Sequence, residues 1–290
     1  MCRFSIRIRR PEEEKRDLRR SVCSPPCPVL AFPRGSGVLS RFRNSQSAPI
    51  AVDPDPTVFP EIDGADIAAV FTGKRVAGDF YDSIRTSPER VLIGLLDVAG
   101  RREDNRHILN HAQEIFRTAG LELFSKPDIN ESDAMTDLCH RLNRGLIDIC
   151  CGVHSCPAFI ACYHERFGTL CYTNAGHTPG LIRDRSGVSE LPATGLPLGL
   201  FSHATSEAPT IGLESGAALL LVSLGLVECE GHANGARGTF GFDRIKQIFQ
   251  ATETSSAQSL CTAILDTASQ FGAKIPACDD RTALALIRSA

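Results

Sequence analysis

The order of apolar and amphipathic segments is the feature of this sequence that most restricts its fold. Short runs rich in Val, Ile, Phe and Tyr occur in groups separated by turn residues, as expected for strands joined by hairpins. Segments with helical periodicity occur in two pairs rather than after each strand, and Gly120 is expected to end the first helix. This grouping favours an α+β fold with antiparallel sheets covered by helices over a repeated βαβ unit. The predicted strands span 66–72, 75–83, 91–98, 158–164, 169–173, 180–183, 217–223 and 281–287, and the predicted helices span 104–119, 131–149, 242–251 and 257–271.

The first fifty residues differ from the remainder of the chain. They contain six prolines, and their apolar residues show no helical or strand period. They carry eleven Lys and Arg and four Asp and Glu, so their net charge is +7, whereas that of the remainder is −10. We therefore expect a basic, Pro-rich, disordered arm over 1–50 and one domain over 51–290. Binding of nucleic acid by the arm is a weaker alternative, because the acidic domain would repel phosphate backbones.

The composition places the domain among globular proteins. Hydrophobic residues make up 42% and charged residues 22% of the chain, which excludes a largely disordered, fibrous or coiled-coil protein. The longest apolar run, Ala217–Val222, is far shorter than the roughly 18 residues that span a bilayer. Without a secretory signal pattern at the N-terminus, we expect a cytoplasmic protein with no membrane partner.

The cysteines do not form a metal-binding pattern. The chain has twelve of them, but no CxxC pair, and most stand singly in apolar runs. We expect reduced thiols that pack as small hydrophobic side chains.

Three aspartates lie in or directly beside predicted strands. Asp79 lies within strand 75–83, Asp97 ends a strongly apolar strand, and Asp279 directly precedes the last strand. A carboxylate at the end of a buried strand is costly unless it is paired or binds a metal. Three of them could form a site for a hard cation with oxygen ligands. The residues alone leave a second interpretation open, in which these aspartates cap turns.

Five segments occur in an order that resembles a known family. They are Val76–Asp82, Leu96–Gly100, Thr173–Pro179, Ala193–Gly199 and Asp279–Thr282. Together they resemble the SpoIIE-like branch, with its RsbU-type regulators, of the PPM metal-dependent protein serine/threonine phosphatases. The resemblance extends from about residue 66 to residue 288 and implies a four-layer α-β-β-α sandwich of two antiparallel sheets flanked by helical pairs.

The resemblance also implies the chemistry of a two-metal hydrolase. Two manganese or magnesium ions would activate a water that attacks a phosphoserine or phosphothreonine. Asp79 and Asp97 would be the catalytic metal ligands, with the backbone carbonyl of Val98 and the carboxylate of Asp279 completing the shells. Asp82 would play a supporting, hydrogen-bonding role because strand alternation turns it away from Asp79.

The sequence departs from the family at two places. The family strand normally ends in Thr-Asp-Gly-Leu-Thr-Glu, but here Ser223–Glu228 places Leu224 where the metal-binding aspartate is expected. One ion should therefore be held weakly or not at all. After Gly100 the chain continues with Arg101, which could bind a substrate phosphate through its planar guanidinium or could be a solvated turn residue.

The histidines are weaker candidates for function. His177 lies in the Asn-Ala-Gly-His segment, where a role in satisfying backbone groups of the turn is favoured over catalysis. His107 and His111 are spaced i, i+4 but lack a third ligand nearby, so we expect them to face solvent.

The sequence thus predicts a metal-dependent protein phosphatase. By resemblance, its substrate would be a phosphoserine or phosphothreonine on a regulatory protein, such as a STAS-type anti-anti-sigma protein in a bacterial sigma-factor pathway. The alternative is a PPM-fold pseudophosphatase that binds a phosphoprotein without hydrolysing it. Leu224 favours this alternative, whereas retention of Asp79, Asp97 and Asp279 opposes it.

Overall fold

The computed structural model describes residues 53–73, 78–98, 100, 102–150, 155–233, 236–273 and 280–289. The predicted arm over 1–50 and two candidate site residues, Arg101 and Asp279, lie outside the described residues.

The described residues form short strands and five helices. The strands are β1 (Ala65–Thr72), β2 (Gly78–Ser87), β3 (Arg90–Val98), β4 (Ala158–His164), β5 (Thr169–Ala175), β6 (Gly180–Asp184), β7 (Gly187–Leu191), β8 (Thr210–Gly212), β9 (Ala218–Val222), β10 (Glu230–Ala233), β11 (Ala236–Thr239) and β12 (Arg281–Arg288). The helices are α1 (Arg102–Phe124), α2 (Glu131–Cys150), α3 (Leu224–Val227), α4 (Phe242–Ala251) and α5 (Ala257–Phe271).

The strands pair into two five-stranded antiparallel sheets and one small hairpin. The first sheet has the order β1-β12-β9-β6-β7, the second has the order β2-β3-β4-β5-β8, and β10 pairs with β11. One apolar core lies between the two large sheets, a second lies between the second sheet and the pair α1 and α2, and a third lies between the first sheet and the pair α4 and α5. The predicted four-layer sandwich is confirmed.

Strand β3 shows why this architecture follows from the sequence. Val91, Ile93 and Leu95 face the core between the sheets, whereas Leu92 and Leu96 face the helices. Because successive side chains of a strand point to opposite faces, a strand that is covered on both faces must be apolar at every position. The polar residue Asp97 therefore ends the apolar series on the face of β3 that lies towards the other sheet, whereas Val98 is still buried on the helix side.

The second helix of each pair begins at a side-chain cap. The side chain of Asn130 accepts hydrogen bonds from the backbone N–H groups of Ser132 and Asp133, at 3.1 and 3.3 Å, at the start of α2. Ser256 accepts a hydrogen bond from the N–H of Ser259 at the start of α5. Such caps satisfy N–H groups that have no partner within the helix.

The prediction that Gly120 ends the first helix is wrong, because α1 continues to Phe124. A Cβ at position 120 would lie 2.7 Å from Cδ1 of Leu92 and 3.1 Å from Cδ1 of Ile84. The glycine therefore serves the close approach of α1 to the second sheet rather than the end of the helix.

Several short elements were not predicted from the sequence, namely β7, β8, α3, β10 and β11. Each has five residues or fewer, which is too short for a clear hydrophobic period. No helix within the described ranges is long and apolar enough to cross a membrane. Six cysteines are buried as free thiols, as packing among apolar residues predicts: Cys139, Cys156, Cys162, Cys171, Cys229 and Cys261.

Candidate metal centre

Asp79 and Asp97 lie opposite one another on the hairpin of β2 and β3. The antiparallel register pairs Asp79 directly with Asp97, so that their side chains lie on the same face of the second sheet. Asp79 is 7% exposed, and Asp97 is partly exposed. The structure therefore brings together two of the carboxylates selected from the sequence, near the end of β3.

Two buried hydroxyl groups hold the carboxylate of Asp79. Oγ1 of Thr282 donates a hydrogen bond to Oδ2 of Asp79 at 2.9 Å, and the hydroxyl of Ser223 also hydrogen-bonds Asp79. Ser223 follows β9 and Thr282 lies at the start of β12, so both belong to the sheet opposite β2. Neither residue was predicted as part of the site, although Thr282 lies in one of the five family-like segments and Ser223 precedes Leu224.

The environment of Asp79 strongly disfavours its charged form. Burial, and then the negative charge of Asp97, raise the pKa of Asp79 to about 7, with a smaller contribution from Asp280. The hydrogen bonds from Ser223 and Thr282 oppose this shift. A carboxyl group with such a pKa exchanges its proton readily near neutral pH, and a nearby cation would favour the charged form.

Gly78 leaves space for the backbone carbonyl of Val98. A Cβ at position 78 would lie 2.0 Å from the carbonyl oxygen of Val98 and 2.8 Å from its carbonyl carbon. No side chain fits at such a distance, so the glycine at the start of β2 is needed for the position of this carbonyl. The carbonyl belongs to the residue directly after Asp97, where the resemblance implies a metal ligand.

We expect Gly78→Ala to lower the free energy of unfolding by about 2 kcal/mol, because the added methyl group must displace the Val98 carbonyl or β2. Gly212→Ala is the matched control, because a Cβ at this strand position meets no atom within 4 Å. Urea unfolding of both variants measures the difference. Equal stability of the two variants would contradict the close approach.

A cavity of about 180 Å³ connects these groups. It is lined by Gly78, Asp79, Asp97, Val98, Gly100, Leu224, Gly225, Glu228 and Asp280. Leu224, at 44% exposed, therefore lies beside the facing aspartates, at the position where the resemblance expects a carboxylate. Within the described part of the chain, no three His, Cys, Asp or Glu side chains are arranged to hold a metal ion.

The donor atoms of the two facing aspartates suit a hard cation, whereas the side chain of Leu224 adds no donor to the cavity, which Glu228 and Asp280 also line. Asp79, Asp97 and the Val98 carbonyl offer oxygen atoms, which Mg²⁺ and Mn²⁺ prefer. Leu224 offers no lone pair. The fourth expected ligand, Asp279, lies outside the described residues.

A family model described as Stage II sporulation protein E (SpoIIE) matches residues 87–289. The chain belongs to the SpoIIE family. The matched range contains Asp97, Val98, Leu224 and Asp279, whereas Asp79 lies just before it. A search of curated proteins found no match.

Solved structures of phosphatases share the fold of this SpoIIE-family chain. The SiaA-PP2C domain of Pseudomonas aeruginosa has a TM-score of 0.65 and 18% identity, over 77% of this chain and 86% of that one. The RsbU and RsbW domains of Rv1364c from Mycobacterium tuberculosis have a TM-score of 0.63 and 21% identity, over 80% of this chain and 62% of that one. The catalytic domain of the serine threonine protein phosphatase PstP, in complex with two manganese ions, has a TM-score of 0.54 and 11% identity. The match covers 78% of this chain and 100% of that one. The SpoIIE-family chain therefore has the PPM phosphatase fold.

The side chain of Asp82 is directed away from Asp79 and Asp97, towards α1. Its carboxylate is buried and accepts hydrogen bonds from Nε of Arg117 at 2.7 Å and from Nε2 of Gln113 at 3.2 Å. Both partners lie on α1, which begins shortly after Val98. Asp82 thus fixes α1 against β2, which agrees with the supporting role expected from strand alternation.

His177 lies in a buried turn of the SpoIIE domain. Its backbone N–H donates to Oδ1 of Asn174 at 2.8 Å, and its Nδ1 lies 3.2 Å from the carbonyl oxygen of Thr178. Burial lowers the pKa of the imidazole to about 4, against the smaller effect of the Thr178 hydrogen bond. His177 is therefore neutral at physiological pH. Of the two histidines on α1, His107 is exposed as expected, whereas His111 is only partly exposed and lies near Glu114, so the expectation that both face solvent holds for His107 alone.

We expect His177 to make the domain acid-sensitive. Between pH 6.5 and about 4 the unfolded chain binds a proton that the folded chain rejects, so the free energy of unfolding falls as the pH decreases. The loss at pH 4 is about 3 kcal/mol, and above pH 6.5 this contribution is constant. Urea unfolding across this pH range should give a flatter profile for His177→Gln than for the wild type. The exposed His107→Gln should keep the wild-type slope, and parallel profiles for all three proteins would exclude this role of His177.

Proposed function

We propose that the chain is a metal-dependent protein serine/threonine phosphatase. The observation that carries this proposal is the facing pair of Asp79 and Asp97, with the Val98 carbonyl placed beside it by Gly78. The pair lies at a cavity on a fold shared with PPM protein phosphatases. This arrangement offers oxygen ligands and space for a water molecule, which metal-assisted hydrolysis requires.

Manganese or magnesium would be held by Asp79, Asp97, the Val98 carbonyl and Asp279. When bound, such an ion lowers the pKa of a coordinated water and neutralises charge on phosphoryl oxygens. The buried hydrogen bonds of Asp79 orient one ligand, and the β2–β3 register orients the other. The solved structure of PstP in complex with two manganese ions supports the choice of metal.

Leu224 is the reason to propose unequal metal binding. Its apolar side chain lines the same cavity as Asp79 and Asp97, so it contributes contact area but no ligand. We expect one ion to be held tightly and the second weakly or not at all. A pseudophosphatase that binds a phosphoprotein without hydrolysing it is the alternative that this residue favours.

The substrate we propose is a phosphoserine or phosphothreonine on a regulatory protein, with a STAS-type anti-anti-sigma protein as the first choice. Similarity to the RsbU domain of Rv1364c supports this choice. Arg101 would contact the substrate phosphate, because it follows the site loop at Gly100 and its planar fork suits a phosphate.

Release of phosphate from a phosphoserine peptide tests the proposed function. The full chain should release phosphate when Mn²⁺ is present, and EDTA should reduce the rate to that of the uncatalysed reaction. Restoring Mn²⁺ in excess should restore the rate. A folded wild-type chain that releases no phosphate with either Mn²⁺ or Mg²⁺ would contradict catalysis and favour the pseudophosphatase.

A further inference from the structure

The carboxylate of Asp79 is held by residues of the opposite sheet. Asp79 is on β2, whereas the hydroxyl groups that bind it come from Ser223 after β9 and from Thr282 on β12. Both hydroxyl residues are completely buried. The contact therefore joins the two sheets of the sandwich beside the candidate metal centre.

Ser223 and Thr282 also fix one another. The N–H of Ser223 donates to the carbonyl oxygen of Thr282 at 3.0 Å, and Oγ of Ser223 accepts from the N–H of Thr282 at 3.0 Å. The two residues thus form a closed pair whose backbone positions are set by β9 and β12. The hydrogen bond from the Thr282 N–H also holds the hydroxyl oxygen of Ser223 in place beside Asp79.

The other hydrogen bond of the Ser223 hydroxyl indicates that this hydroxyl is the donor in its contact with Asp79. A serine hydroxyl has one proton to donate, and its oxygen already accepts from the Thr282 N–H. Its proton therefore points to the carboxylate of Asp79. Thr282 likewise donates to Asp79 Oδ2. Two donors on one carboxylate set its rotation and favour its ionised form, which is the form that binds a cation.

We propose that Ser223 and Thr282 are positioning residues that orient the Asp79 carboxylate towards a divalent cation shared with Asp97. This inference rests on the proposed function, and it adds two residues that neither bind the metal nor touch the substrate. Hydrogen bonds to a metal-binding carboxylate fix its orientation before the ion arrives, and their loss typically weakens metal binding by about 10- to 100-fold.

Calorimetric titration of the full chain with Mn²⁺ tests this role. Thr282→Val removes the hydroxyl group with little change in shape, and its dissociation constant for Mn²⁺ should rise by about 10- to 100-fold. Thr282→Ser keeps the hydroxyl and should bind Mn²⁺ nearly as the wild type does. Thr173→Val is the matched control, because Thr173 is also buried and donates to the carbonyl oxygen of Glu207 instead. It should retain the wild-type affinity whatever its effect on stability.

Ser223→Ala tests the same carboxylate from its other donor and keeps the inference falsifiable if Thr282→Val does not fold. Its dissociation constant for Mn²⁺ should also rise by at least about tenfold. Wild-type affinity in folded Thr282→Val or Ser223→Ala would overturn the positioning role while leaving the proposed function intact. Absence of Mn²⁺ binding by the wild type would overturn both.

Discussion

Replacing Asp97 with asparagine is expected to reduce manganese-dependent phosphatase activity by about 1000-fold. Asp97 faces Asp79 across the β2–β3 hairpin and is the more exposed of the two, so it is the carboxylate best placed to reach an ion in the cavity. Asparagine keeps the size of the side chain but removes the charge. A loss of about 4 kcal/mol of transition-state stabilisation corresponds to this factor. Initial rates of phosphate release at saturating Mn²⁺ measure it.

The same substitution should not destabilise the fold. Like charges directly opposite on neighbouring strands repel, and Asp97 raises the pKa of Asp79. Removing the charge should therefore leave the melting temperature of the metal-free protein unchanged or higher. Asp128→Asn, at an exposed position before α2, is the control for a generic change of charge and should retain activity. Wild-type activity in Asp97→Asn would contradict the assignment of the site.

Replacing Leu224 with aspartate is expected to raise manganese-dependent activity by about tenfold or more. The new carboxylate would enter the cavity that Asp79 and Asp97 already line and would supply the ligand for a second ion. Without metal the added negative charge should lower the melting temperature, and Mn²⁺ should raise it by more than in the wild type. Phosphate release and thermal unfolding, each with Mn²⁺ and with EDTA, measure the two effects.

Leu224→Asn is the matched control for this gain, because its amide is polar and of similar size but is not an anion. It should remain close to wild type in activity. If the wild type is inactive and only Leu224→Asp gains activity, the chain is a pseudophosphatase that lost catalysis at this position. If Leu224→Asp gains neither activity nor stabilisation by Mn²⁺, position 224 is not a ligand position in this chain.

The parts of the fold that could be predicted are those with a long or strongly apolar pattern. The bounds of β4, α4 and α5 agree with the predicted ranges, because each has a clear period and begins or ends at a turn or cap residue. The predicted end of α1 at Gly120 was wrong, because this glycine allows the helix to pack closely against Leu92 and Ile84 of the sheet. That contact is between elements and leaves no signal in local sequence.

Four residues of the candidate site were selected from the sequence, and the structure places Asp79, Asp97, Val98 and Leu224 at one cavity. Asp79 and Asp97 follow from strands that are neighbours in the chain, so their pairing required only hairpin geometry. Ser223 and Thr282 reach Asp79 from the opposite sheet, and this requires the stacking of the two sheets. The role of Gly78 depends on a close approach of Val98 that no pattern reveals. Asp279 and Arg101 remain predictions.

Calorimetric titration with Mn²⁺, carried out on the wild type and Asp97→Asn under the same conditions, tests the central claim most directly. The facing aspartates predict saturable binding of one ion by the wild type, with a dissociation constant at least about tenfold higher in Asp97→Asn. No saturable binding by the folded wild type, or equal dissociation constants in the two proteins, would contradict a metal centre at Asp79 and Asp97.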